Sequence, residues 1–141
     1  IETATDNPTR TVANLRTILN KNGGSMGTQG MHDFIFERKG VFKILAQNID
    51  AEELEFELID AGLDSMEKDD ENHLVLYAKF SDFGSLQKAL EDKNIEVISA
   101  ELQRIPTIGK ELNEEQTDEV LELIDKLEQD DDVQTVFHNL A

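Results

Sequence analysis

The sequence predicts an α+β protein built as two ferredoxin-like-type α/β sandwich domains, the second inserted into the first. Three observations carry this. Helix-like and strand-like hydrophobic periods alternate along the whole chain. From Val41 to Ile105 they fall in the order β-α-β-β-α-β, a complete ferredoxin-like unit. The flanks offer β-α-β before that run and α-β after it, one strand short of a second unit unless VFKIL is shared. The division that follows is a discontinuous domain of residues 1–40 and 106–141 and an inserted domain of residues 41–105, with crossings near Gly40 and at PTIGK. Two sequential domains split near Leu45 would leave the final helix and strand without a sheet.

Each element has a local reason. IETAT is a short strand. Asn7 caps a helix through DNPTRTVANLRTILNKNGG, and Pro8 suits its first turn, where a missing N–H is no loss. Val12, Leu15 and Leu19, with Ile18 beside them, mark the inner side; Arg10, Asn14, Thr17 and Lys21 recur at helical spacing and are assigned to the opposite side. Gly23 or Gly24 stops the helix. HDFIFE alternates as a strand, RKG is a turn, and VFKIL is the next strand. Asp50 and Glu53 open a helix through AEELEFELIDAG that Gly62 ends. DSMEK is a weak strand, DDEN a turn and HLVLYAKF a strong strand. Asp82 caps FGSLQKALEDKN, whose Phe83, Leu86 and Leu90 share a face. IEVISAELQRI is a long strand ended by Pro106. Asn113, with Gln116 three residues on, caps EEQTDEVLELIDKLEQ, and DVQTVFHN is the last strand.

Composition narrows the function. The 141 residues, 38% hydrophobic and 31% charged, bury a modest core. Without cysteine there are no disulfides and no thiolate metal sites. No apolar run approaches the ~20 residues that cross a bilayer, and no charged-then-apolar leader opens the chain. These features predict a cytoplasmic protein with no membrane partner. The chain opens on Ile1, inside a strand pattern, which predicts that it is part of a longer or processed polypeptide.

The net charge of −18 argues against simple phosphate-backbone binding, but it is unevenly placed. Residues 1–43 hold six basic and four acidic groups, for +2, whereas the other 98 residues hold 7 basic and 27 acidic, for −20. A basic face on an acidic body can orient against a polyanion, although acidic surfaces also serve solubility alone. Arg10, Arg16 and Lys21 on the first helix, and Arg38 and Lys39 at the tip of a hairpin, are the candidate nucleic-acid contacts. Phe34 and Phe36 alternate as an inner face would, so no base-stacking platform is indicated.

The stretch NGGSMGTQG holds Gly23, Gly24, Gly27 and Gly30. A phosphate-binding loop runs from strand to helix and ends in Lys-Ser/Thr; here the order is helix, loop, strand, and no such pair follows. The first two glycines read as a helix stop. The later two exceed what a short connection needs, which predicts a contact loop where backbone approaches something closely. KDDEN and QDDDV lack the calcium-loop pattern and read as solvated turns. His32, His73 and His138 have no metal spacing, and no serine sits in a nucleophile elbow. The expectation is a non-enzyme with no catalytic residues, cofactor, metal or small-molecule substrate.

TDNPTRTVANLRTILNKNGGSMGTQG followed by FERKGVFKI, and the closing DDDVQTVFHN, resemble the signature stretches of the YebC/PmpR family. The similarity covers essentially the whole chain. The matching positions are Thr5, Asp6, Asn7, Arg10, Thr11, Arg16, Lys21, the four loop glycines, Phe36, Arg38, Lys39 and Gly40, then Asp132, Val133, Val136, Phe137, His138 and Asn139. MHDF departs from the family pattern, which has a small residue and valine after the last glycine. The resemblance implies a probable DNA-binding transcriptional regulator. Some members are described as ribosome-associated translation factors that relieve stalling at proline runs, and a mitochondrial relative activates translation of cytochrome oxidase subunit I. The implied fold is a basic N-terminal helical domain, absent from this chain, plus two α+β domains, one inserted in the other. The partner expected is therefore nucleic acid, either DNA or ribosomal RNA on the ribosome. An acidic protein-binding module is the third reading, its partners meeting the acidic body.

Overall fold

The computed structural model describes all residues from Ile1 to Ala141. The elements run β1 (Glu2–Thr3), α1 (Pro8–Lys21), β2 (Phe36–Leu45), α2 (Ala51–Leu58), β3 (Leu63–Lys68), β4 (His73–Lys79), α3 (Phe83–Asp92), β5 (Val97–Pro106), α4 (Glu114–Glu128) and β6 (Val133–Thr135). Short 3-10 turns, Ile59–Ala61 and Phe80–Asp82, follow α2 and precede α3. The fold class is α+β. The chain forms two compact units, Glu37–Ile105 and the pair of segments Ile1–Phe36 and Pro106–Ala141.

The Glu37–Ile105 unit is a four-stranded sheet in the order β3-β4-β2-β5. β4 lies between β2 and β3, the split βαβ arrangement of a ferredoxin-like unit. The β2–β4 register pairs Gly40 with Ala78, Phe42 with Leu76 and Ile44 with Leu74. These pairs share one face of the sheet, because side chains alternate along a strand. Leu54 and Leu58 of α2 and Leu86 and Leu90 of α3 cover that face. Phe42, Ile44, Leu58, Leu76, Leu86 and Leu90 are fully buried, each contributing roughly 1.5–3 kcal/mol of transfer free energy. The Asp50 carboxylate accepts hydrogen bonds from the N–H groups of Glu52 and Glu53 and so starts α2. Asp82, expected to cap α3, makes no side-chain cap bond, since a 3-10 turn already leads into that helix.

Two expectations fail at the start of this unit. HDFIFE is not a strand, and RKG is not a turn. Residues 31–35 are consecutive turns, and β2 then runs unbroken from Phe36 to Leu45. The alternation of Phe34 and Phe36 is misleading, because Phe34 is 73% exposed. Gly40 is a close-approach glycine inside a strand. A β-carbon there would lie 2.7 Å from Phe83 Cδ2, and that ring stacks on Phe42 at 4.8 Å.

The other unit is thinner. β1 pairs antiparallel with β6, and α1 packs with α4. Asn7 accepts from Arg10 N–H at 3.2 Å and caps α1, while Asn113 and Gln116 form a reciprocal capping box on α4. α1 turns Thr11 and Leu15 inward; Val12, expected on the inner side, is 42% exposed. The buried line therefore runs one residue behind Arg10, Asn14, Thr17 and Lys21, so that row flanks the core instead of opposing it. Leu127 is the buried residue of α4. Thr107 ties the two segments together: its N–H donates to Ile35 O at 2.7 Å, and its hydroxyl to the same carbonyl at 2.9 Å. The closing strand is shorter than expected, leaving the sheet after Thr135. Beyond it Lys110 donates its N–H to Asn139 O, and Ala141 donates to Lys110 O.

Candidate nucleic-acid interface

The predicted contacts on the first helix divide into two kinds. Arg10 is engaged within its own unit. Its guanidinium lies 3.2 Å from Asp6 Oδ1 and 3.7 Å from Asp132 Oδ2. Asp132 is also the acceptor for the buried Thr11 hydroxyl at 2.8 Å, and Thr5 Oγ1 stands 2.7 Å from Thr11 Oγ1. The Thr5 hydroxyl accepts from Asn7 N–H at 3.0 Å. This cluster latches the start of α1 to the turn before β6, and two carboxylates offset the Arg10 charge.

Arg16 and Lys21 are exposed, and neither is ion-paired. Lys21 stands in the last turn of α1, where a cation complements the exposed carbonyls. Arg16 leans on the glycine loop, with Nη2 4.0 Å from Met26 Sδ. A shallow hollow of about 390 Å³ beside it is lined by Pro8, Thr9, Val12 and Ala13.

The loop itself begins as a helix stop. Gly23 has φ +80, and Gly24 N–H reaches Leu19 O at 2.8 Å, which closes α1. The later glycines also have uses inside the chain. Gly27 leaves room for Met31 Sδ, which would lie 2.6 Å from a β-carbon there, and Gly30 turns the chain at φ +79. The expectation that they exceed local need is corrected to that extent. The loop backbone nonetheless stays exposed, and it walls a cleft of about 460 Å³ together with Leu15, Leu19 and His32.

Arg38 and Lys39 do not form a hairpin tip. They are successive residues of β2 and point to opposite faces. The Arg38 guanidinium carbon sits 3.9 Å over the Phe80 ring centroid. Lys39 Nζ is 2.8 Å from Asp64 Oδ2 and 3.8 Å from Glu37, and its side chain is 16% exposed. The hydrogen bond with Asp64 raises Lys39 above 10.5, and the same bond lowers Asp64 below 3.8. Both predicted contacts thus have partners in their own unit.

Sequence spacing gave no hint of one further cluster. Asp69, Glu71 and His73 bring ligand-type atoms within 4.8 Å of one another. Asp69 accepts from the N–H groups of Glu71 and His73, stands 3.1 Å from His73 Nδ1, and has the Lys43 ammonium at 3.8 Å. These are the bonds of a turn lock between β3 and β4, as the acidic run predicts.

No helix is long and apolar enough to cross a membrane. The family model described as the TACO1/YebC second and third domain matches residues 1–140. A probable transcriptional regulatory protein of Porphyromonas gingivalis is 51% identical over 141 residues, covering 99% of this chain and 58% of the relative. Another of the same description from Cytophaga hutchinsonii is 51% identical, covering 100% of this chain and 59% of the relative. The crystal structure of a conserved hypothetical protein from Aquifex aeolicus superimposes with a TM-score of 0.79 at 28% identity, covering 99% of this chain and 57% of that one. The chain spans less than two thirds of the length of these relatives. The polar latch of Thr5, Thr11 and Asp132, the glycine loop after α1 and the match over residues 1–140 concern the same stretches, and the chain belongs to the TACO1/YebC family.

Proposed function

We propose that this chain serves a regulator of gene expression that acts by gripping nucleic acid, without catalysis, cofactor or small-molecule substrate, in the cytoplasm. The observation that carries the reading is the pair Arg16 and Lys21, exposed cations without ion partners beside an exposed glycine-rich backbone, on a chain of net charge −18. Arg16 and Lys21 contact phosphates. The loop from Ser25 to Gly30 brings backbone N–H groups close to the strand, where side chains would hold it off. Arg10 supports this surface by holding the start of α1 in place. Arg38 and Lys39, in the other unit, are weaker candidates, because each has an intramolecular partner to leave. DNA is the first target in this reading, in keeping with relatives described as probable transcriptional regulatory proteins.

A second reading has its own support. The hollow beside Arg16 is lined by Pro8, Thr9, Val12 and Ala13, which offer little to read a base edge. Phosphate contact without base readout suits ribosomal RNA as well as duplex DNA, so a ribosome-associated translation factor is the runner-up. Fluorescence anisotropy of labelled duplex DNA and of a labelled ribosomal RNA hairpin tests both readings. Arg16→Glu with Lys21→Glu is expected to weaken binding by tenfold or more, and to lower the slope of log affinity against log salt by about two. Equal binding by the variant and the unmodified chain sinks the α1 surface as the contact. Preference for the hairpin decides for the RNA reading.

A further inference from the structure

Helix α2 and the 3-10 turn that continues it carry an apolar pair that their own unit does not use. Leu54 and Leu58 are the buried face of α2. Phe56 and Ile59 project the other way and are 78% and 55% exposed, Phe56 more than any other large hydrophobic in the chain. Phenylalanine gains nothing for an exposed helix position, where Ala, Glu or Lys would serve better. At the helical spacings before and after Phe56 stand Glu52, Glu53, Ile59 and Asp60, which share its face. Asp50 is occupied with the helix cap and Glu57 with Lys93, but Glu52, Glu53 and Asp60 have no ion partner. The acids at 52 and 53 complement the helix start. Asp60 lies beyond the other end, where a carboxylate is unfavourable. An exposed aromatic and a misplaced acid on one face both run against local preference.

We propose that this face of α2 docks a cationic protein segment: a Lys- or Arg-rich helix with aliphatic side chains along one side. The aliphatic side chains cover Phe56 and Ile59, and the cations meet Glu52, Glu53 and Asp60. Nucleic acid does not fit, because the carboxylate ring repels phosphate. A second copy packed on the same face does not fit either, since a two-fold contact sets identical carboxylate rings against each other. The inference stands apart from the nucleic-acid reading, which uses α1 and its loop.

The probe is a synthetic helical peptide of leucine and lysine, titrated into the 15N-labelled chain and followed by amide shifts. Shifts centred on residues 52–60 are expected. Phe56→Ser with Ile59→Ser should weaken binding about tenfold while leaving the rest of the spectrum in place, as both side chains are exposed. A peptide with serine in place of leucine should bind about tenfold more weakly. The same Phe56/Ile59 variant should bind nucleic acid unchanged, which separates this test from that of Arg16 and Lys21. Shifts scattered over every acidic surface, undiminished binding by the variant, or a dimer of the unmodified chain that the variant dissolves would each overturn the proposal.

Discussion

Each of the two units is held together by its own chemistry. Glu37–Ile105 has ten buried hydrophobic residues, from Phe42 to Leu90, layered between a sheet and two helices. The unit of Ile1–Phe36 and Pro106–Ala141 has two, Leu15 and Leu127, and a buried threonine between them in kind. What it lacks in apolar area it makes up with specific polar contacts: the Asp132 cluster, the Thr107 bonds to Ile35 and the Lys126–Asn22 bond at 2.7 Å. Apolar layers are tolerant of detail, whereas a hydrogen-bonded latch depends on each partner. The exposed cations and the glycine loop belong to the unit with the thin core.

Substitutions at three positions sharpen this contrast. The largest effect is expected in the layered unit. Leu76→Ala empties a fully buried site on the central strand β4 and should cost about 2–5 kcal/mol in urea unfolding. In the latched unit Asp132→Ala removes the acceptor of the buried Thr11 hydroxyl and a charge partner of Arg10, for about 1–3 kcal/mol. Amide exchange at residues 5–11 should quicken with it; unchanged exchange there would mean that the latch is ornamental. Asp132→Asn, which keeps an acceptor, should lose less.

The smallest effect concerns pH. Asp64 is lowered in the folded chain, so its stabilisation is present above its unfolded value near 3.8 and is lost as pH falls through the folded value. Lys39 is raised, so its share is present below 10.5 and is lost as pH rises through the folded value. Lys39→Met should therefore be less stable than the unmodified chain across the neutral range, by under about 1 kcal/mol for a surface pair, and the gap should close at both extremes. A gap that persists at low pH would assign the loss to the lysine's packing along β2, not to its charge.

Much of the fold is legible in the sequence where one residue acts on its near neighbours. The Asn7 and Asn113 caps and the Gly23 stop all work within a few positions. Legibility fails where the decisive partner is remote. Phe34 and Phe36 look like one face of a strand, yet only tertiary pairing decides that β2 starts at Phe36. Arg38, Lys39 and Gly40 look like a turn, and Lys39 opposite Lys79 with Phe83 against Gly40 makes them strand. Of the candidate contacts, Arg16 and Lys21 are the ones left exposed without an ion partner. Sequence spacing could not show that Arg10 faces Asp132, Arg38 faces Phe80 and Lys39 faces Asp64, because those partners are set by the fold.

The Asp132 latch also imposes an order in time. Its partners Thr11 and Asp132, on the first helix and just before the last strand, stand 121 positions apart. When the chain is made from its N-terminus, α1 emerges early but has neither β6 nor α4 to close upon until the last residues appear. The sheet of β2 to β5 has all its strands in hand well before then. Within this stretch α1 is thus made before β2 to β5 yet packed after them, and for that interval it presents its inner side, Leu15 included, to whatever protects nascent chains.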